Sequence, residues 1–230
     1  DARRIVGGLE GMRARVRGLR QGLEAELSLA ISTMVPLDEI IKVLREFKDK
    51  FPTVSLTLNA GELGMVSDSV LRGHSDIGFG GPLMKEDDRL SVTQIGQSCM
   101  LPVASASHPL VRLGRPLTLK DVRDEVQLVV TDPSGHTKGR DFNVLSYQIW
   151  KVSDIATKYR LIKGGLGWGG LPHSYLKDDL RTGRLVQLDL DAYRLGAYPL
   201  YEMHLISRPL GPAGSWIVER LTAELSGLEP

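Results

Sequence analysis

The chain has 230 residues, 42% of them hydrophobic and 25% charged, which fits a soluble globular protein with one large domain or two small lobes. A formal net charge of +1 gives no global field for nucleic acid or a membrane surface. The lone Cys99 excludes a disulfide framework and a cysteine metal site and suits a reducing cytoplasm, and no run of about 18 apolar residues offers a membrane span.

The opening Asp1-Ala2-Arg3-Arg4 has no initiator Met and no capping signal, and reads as the middle of a helix. Its basic residues lack the apolar stretch of a secretory signal. Ile5, Leu9, Met12, Val16, Leu19 and Leu23 step by four, three, four, three and four, a heptad seam of about three heptads. Arg3, Arg4, Arg13, Arg15, Arg17 and Arg20 fall off that seam. Gly7, Gly8, Gly11, Gly18 and Gly22 each cost a helix about 1 kcal/mol relative to Ala. Residues 1–25 are therefore expected to form a linker helix that dimerises.

From Glu26 the period changes to two. Leu27, Leu29 and Ile31 alternate with small polar residues as a strand, and Pro36 opens a helix with Ile40, Ile41, Leu44 and Phe47 as its stripe. Val54, Leu56 and Leu58 form a second strand, and Asn59-Ala60-Gly61-Glu62 turns into a helix bearing Met65, Val66, Val70 and Leu71. Ile77-Gly78-Phe79 is a short third strand that ends at Gly80-Gly81-Pro82. This β-α-β-α-β order predicts a parallel sheet with crossover helices.

Beyond a charged connection at 83–90, residues 92–95 and 99–104 read as two strands, with a turn at Ser107-His108-Pro109-Leu110. A short helix over 117–122 precedes a strand over 126–130 and the turn Thr131-Asp132-Pro133-Ser134-Gly135. Residues 144–152 read as a strand. Ser153 or Asp154 can cap a helix whose face is Ile155, Tyr159, Ile162 and Leu166. Gly164 and Gly165 can end it with positive φ, and a tight glycine turn runs to Pro172 with Trp168 inside it. Two readings stand for that turn: close helix–strand packing, or a cleft wall formed by Trp168. A helix over 175–181, strands at 185–188 and 200–206, and an amphipathic helix over 216–225 complete the chain.

Six landmarks in this order resemble the effector-binding half of LysR-type transcriptional regulators. They are the heptad connector, Phe51-Pro52-Thr53-Val54 after the first strand and helix, Leu71-Arg72-Gly73-His74-Ser75-Asp76-Ile77-Gly78-Phe79, His108-Pro109-Leu110, Gly165-Leu166-Gly167-Trp168-Gly169-Gly170-Leu171-Pro172, and Leu180-Arg181-Thr182-Gly183-Arg184-Leu185-Val186. The resemblance implies an α/β fold of two Rossmann-like lobes in the type 2 periplasmic-binding-protein arrangement. Lobe I would take 26–102 and 205–230, and lobe II 103–204. Two crossing strands would join them near Met100–Ser105 and Glu202–Ile206, and the family's winged helix-turn-helix would precede residue 1. The chain departs from the family pattern over His136–Asn143, where no apolar stripe marks a helix.

In such a fold a ligand sits at strand carboxyl ends, where helix N-termini point free amides at it and favour an anion. The candidates are Ser32, Thr33 and Met34 after the first strand, Gly61 and Glu62 after the second, and Gly81 and Pro82 after the third. Thr131, Asp132 and Ser134 follow the second lobe's first strand. Trp150 and Trp168 offer aromatic walls, and His204 lies on a crossing strand. For Ser32 and Thr33 the plain alternative is helix N-capping, for the tryptophans it is the core, and for His204 a satisfied interior histidine. Glu62 would repel an anion unless a base pairs with it or it turns outward.

Thr131-Asp132-Pro133-Ser134-Gly135-His136 holds an acid, a serine and a histidine, but neighbours in one loop rarely form a triad, and no Gly-x-Ser-x-Gly elbow is present. The histidines at 74, 108, 136, 173 and 204 have no metal spacing. No catalysis, metal or cofactor is expected. The reading is a cytoplasmic sensor of a small organic anion, a homodimer or homotetramer that reaches operator DNA only through the missing N-terminal domain. A solute-binding protein of a transporter is the alternative on the same fold, and the heptad seam argues against it.

Overall fold

The computed structural model describes residues 22–81, 87–132, 143–193 and 197–227. The expected linker helix falls almost wholly outside them, as do Pro82, Ser134 and all but the last residue of 136–143. The strands are β1 (Glu26–Ser32), β2 (Ser55–Gly61), β3 (Ile77–Gly80), β4 (Leu90–Ser105), β5 (Gln127–Val130), β6 (Ile149–Val152), β7 (Trp168–Pro172), β8 (Leu185–Gln187) and β9 (Ala197–Leu205). The helices are α1 (Leu37–Lys50), α2 (Met65–Leu71), α3 (Pro109–Arg112), α4 (Leu119–Arg123), α5 (Ile155–Lys163), α6 (His173–Arg181) and α7 (Pro212–Ser226).

Two compact units emerge, the first from residues up to 61, 66–96 and 200 onward, the second from 62–65 and 97–199. Besides the short 62–65 excursion, the chain changes unit at Gly96–Gln97 and Pro199–Leu200, inside β4 and β9, where boundaries at 102 and 204 were expected. The two strands expected at 92–95 and 99–104 are one, β4, so no turn residue marks the change of unit.

In the first unit β1 pairs in parallel with β2 and β3, and β3 pairs antiparallel with β9. Leu27 and Leu29 point into the core as the alternation requires. Helix α1 buries Glu39, Ile40, Val43 and Phe47, a face rotated slightly from the expected one, so Ile41 stays exposed. Phe47 meets Phe51 and Trp216 with ring centroids 5.1 and 6.1 Å away, tying α1 to α7, and Arg220 bridges to Glu46 at 2.7 Å. Burying a side chain such as Phe47 contributes about 1.5–3 kcal/mol. At the start of α7 the Glu24 carboxylate accepts from the amides of Ala213 (3.0 Å) and Gly214 (2.9 Å). A Cβ on Gly211 would lie 2.4 Å from the Glu24 Cδ, so that approach needs glycine.

In the second unit β4 runs antiparallel to β7 and β8, and β5 runs parallel to β6 and β7. Val103 and Ala104 point to opposite faces and start two cores. One holds Val103, Leu128, Ile155, Ile162, Leu171, Leu176 and Leu185. The other holds Ala104, Leu110, Leu117, Val122, Trp168, Leu188, Leu190 and Tyr193. Only 149–152 of the strand expected at 144–152 is a strand. Ahead of it the Gln127 amide side chain takes the backbone groups that a ladder would use. Its Oε1 accepts from the amides of Leu145 (2.8 Å) and Ser146 (3.1 Å), and its Nε2 donates to the Asn143 carbonyl (2.6 Å).

The glycine-rich stretch is not the expected turn. Helix α5 stops at Lys163, only Gly165 takes positive φ (+78°), and Trp168–Pro172 is strand β7. A Cβ on Gly169 would lie 2.8 Å from the Leu128 carbonyl and 3.0 Å from the Lys158 Cε, and one on Gly170 1.7 Å from the Tyr193 hydroxyl. The glycines serve close packing, the first of the two sequence readings.

Candidate functional site

In the first unit the carboxyl ends of three parallel strands come together. Ser32 lies opposite Gly61 in the β1–β2 register, and the Ser32 Cβ is 3.7 Å from where a Cβ of Gly80 would sit. The Ser32 hydroxyl is buried and accepts from the Met34 amide at 3.2 Å, while the Ser32 carbonyl accepts from the Val35 amide at 2.9 Å. Neither Ser32 nor Thr33 caps α1, whose N-cap is Pro36 with no side-chain bond. Met34 is buried, whereas Thr33, Gly61 and Gly81 are half-buried. His204 belongs to β9, where its Nδ1 lies 2.6 Å from Oε1 of the buried Glu202. Burial pushes the Glu202 carboxyl up, against the pull of His204. His204 is thus paired with Glu202 and partly exposed, at 20% of its side chain.

The second unit gathers Thr131, Asp132 and the starts of α5 and α6 at the carboxyl ends of β5, β6 and β7, which the parallel pairing sets at one edge. Thr131 is tied to the end of β6, its amide (2.8 Å) and its hydroxyl (3.2 Å) both donating to the Val152 carbonyl. Asp154 caps α5, accepting from the Thr157 amide (2.7 Å) and hydroxyl (2.8 Å), which holds its carboxyl below the usual range. The remaining amide of interest, that of Ile155, donates to Oε1 of Glu62 at 3.2 Å. Glu62 is buried at 6% exposure, so the carboxylate flagged as a warning in the sequence rests on a helix start. The next residue, Leu63, sits at φ +49°, a region that bulky side chains rarely adopt.

Trp168 is the main correction. It is 0% exposed, its indole N–H donates to the Ser146 Oγ at 3.1 Å, and it meets the Tyr193 ring edge-on at 6.4 Å. It packs a core in place of lining a cleft, because β7 is buried on both faces, with Leu171 in one core and Trp168 in the other. Trp150, on β6, is 47% exposed.

Sequence reading missed Lys158. The buried face of α5 is Ile155, Lys158 and Ile162, at spacings of three and four, so Lys158 points inward at 6% exposure. That spacing was visible, but the apolar stripe through Tyr159 drew the reading to the neighbouring face. Burial pushes the Lys158 ammonium down to about 8, against the upward pull of Glu62. Tyr175 on α6 and Tyr198 on β9 also feel Glu62. Burial raises both hydroxyls, that of Tyr198 to about 12. Beside Tyr175, the Ser174 hydroxyl is buried without a hydrogen-bond partner. The Glu62 carboxylate thus rests on the Ile155 amide, and its charge acts on Lys158, Tyr175 and Tyr198.

Among the described residues no group of three or more His, Cys, Asp or Glu could hold a metal ion, and no helix is long and apolar enough to cross a membrane.

The model of the LysR substrate binding domain matches residues 20–226. The HTH-type transcriptional regulator YwqM of Bacillus subtilis (strain 168) is 30% identical over 155 residues, 64% of this chain and 52% of that protein. The chain spans about half the length of the curated relatives it matches. Among solved structures, the regulatory domain of CcmR from Synechocystis PCC6803 in complex with 2-PG superposes with a TM-score of 0.69 at 17% identity, covering 88% of this chain and 98% of that one. The effector-binding domain of QuiR in complex with shikimate gives 0.65 at 11%, covering 88% and 97%. These likenesses agree on a mixed α/β regulatory-domain fold of the type 2 periplasmic-binding kind. The chain belongs to the LysR substrate-binding domain family.

Proposed function

We propose that this chain is the effector-sensing part of a cytoplasmic LysR-type transcription regulator, binding a small organic anion without turning it over. The observation that carries the reading is the clustering of Ser32–Met34, Gly61 and Gly81 at the carboxyl edge of parallel strands, in a chain matched by the family model from 20 to 226. The second unit repeats that arrangement at Thr131, Asp132 and the start of α5. Amides and hydroxyls at strand ends suit a carboxylate or phosphate. The small acids named for CcmR and QuiR, 2-PG and shikimate, are of that chemistry. A ligand shifts the regulator's state only by its differential affinity for two arrangements, typically about 1–3 kcal/mol. The protein acts as a homodimer or homotetramer, and DNA is reached through a separate winged helix-turn-helix.

Native mass spectrometry of the purified chain, with thermal melts against a panel of small organic acids that includes shikimate, tests this. The expected result is an assembly of at least two copies, a rise in Tm with at least one acid, and recovery of that acid unchanged. A chain monomeric at every concentration, an acid consumed, or no response to any acid would each overturn the corresponding part.

A further inference from the structure

The start of α5 is unlike the other helix starts in one respect: a buried cation stands behind it. Lys158 lies one turn into the helix at 6% exposure, its Cε 3.0 Å from where a Cβ of Gly169 would sit. The charge that acts on it is that of Glu62, whose Oε1 accepts from the Ile155 amide at 3.2 Å. A buried ammonium needs a counter-charge or must give up its proton. Glu62 supplies that charge from the 62–65 segment, turned by Leu63 at φ +49°. On α6 the Ser174 hydroxyl is buried and without a hydrogen-bond partner, and its neighbour in sequence, Tyr175, also feels Glu62.

The geometry points to Lys158 as the anion anchor of the effector site, with Glu62 as a built-in stand-in that a ligand's carboxylate replaces. The inference rests on the effector-sensing reading and names the group that would do the recognising. The Ile155 amide already donates to Glu62, so an acid whose carboxylate takes that amide must displace the Glu62 carboxylate from it. A neutral molecule of the same shape has nothing to offer Lys158 and cannot. The site thereby selects small carboxylic acids over their amides and esters, and Glu62 sets the threshold concentration.

The test uses acetate and its neutral counterpart acetamide on the wild-type chain, Glu62→Gln and Lys158→Met. The readout is the Lys158 Cε resonance, assigned by its loss in Lys158→Met. Acetate should shift that resonance saturably, at roughly tenfold lower concentration in Glu62→Gln than in wild type, because the internal competitor is gone. Acetamide should leave it in place, and Lys158→Met should show no saturable acetate binding by calorimetry. An unmoved Lys158 resonance in Glu62→Gln, or equal acetate binding by Lys158→Met, would overturn the assignment. If Lys158→Met keeps the wild-type thermal response to an acid from the panel, the anchor fails while sensing stands. If no acid in the panel stabilises wild type yet acetate moves Lys158 in Glu62→Gln, the anchor stands and sensing fails.

Discussion

Glu24 and Glu62 both place a carboxylate on the first amides of a helix, in very different company. Glu24 gives its two oxygens to successive amides of α7, at 3.0 and 2.9 Å, and Gly211 lets the chain close around it. Glu62 accepts from the Ile155 amide of α5, at 3.2 Å, and its charge acts on Lys158, Tyr175 and Tyr198. The pair teaches when such a carboxylate is fixed structure. Two amides and a fitted backbone can be satisfied only from within the chain. A helix amide with a buried ammonium close behind it in the same helix suits any anion that reaches it.

The largest effect should come from a residue that belongs to neither end of that comparison. Trp168→Ala empties the second core and should cost about 3–5 kcal/mol in urea unfolding. A cost below about 1 kcal/mol would put the indole back at a surface. Next, Glu62→Gln leaves Lys158 facing a neutral amide and should lose about 2–3 kcal/mol near neutral pH, most of it regained in the Glu62→Gln, Lys158→Met double variant. The matching change at the other helix, Glu24→Ala, should lose about 1–2 kcal/mol, with none of it recovered by Lys158→Met. Recovery there would erase the contrast.

A pH series sharpens the same point. Lys158 holds its proton less tightly in the fold (to about 8) than at its ordinary value of 10.5. Between those values the unfolded chain keeps a proton that the folded chain has released, so rising pH favours folding. Wild-type stability minus that of Lys158→Met should therefore climb from pH 8 towards 10.5, and a flat difference would place the ammonium in water. The subtraction cancels Tyr175 and Tyr198, whose hydroxyls burial raises as well. The smallest effect is at the turn that presents Glu62. Leu63→Gly relieves the positive φ and should add up to about 1 kcal/mol of stability.

Period and punctuation made most of the fold legible. The two-residue alternation at 26–32 became β1 with those bounds, and the helix opened by Pro36 became α1 at 37–50. The strand ends holding Ser32, Gly61 and Gly81 were readable for the same reason, since strand termini follow from local signals. What could not be read depends on partners far along the chain. Gly170 looks like a turn residue until Tyr193 is seen to fill its Cβ position, 23 residues later. Trp168 among glycines looks exposed until Ser146, 22 residues earlier, is found beneath its N–H. Lys158 was hidden by a convention, because a charged residue at a helical spacing is ordinarily assigned to solvent.

The contact between Gly170 and Tyr193 carries a consequence for descent. With the phenol oxygen 1.7 Å from where any side chain at 170 would begin, position 170 cannot drift by itself. A lineage can acquire alanine at 170 only after 193 has shrunk. Once both have changed, return to tyrosine is barred until the glycine is restored. Variants of this protein should thus never combine a side chain at 170 with tyrosine at 193.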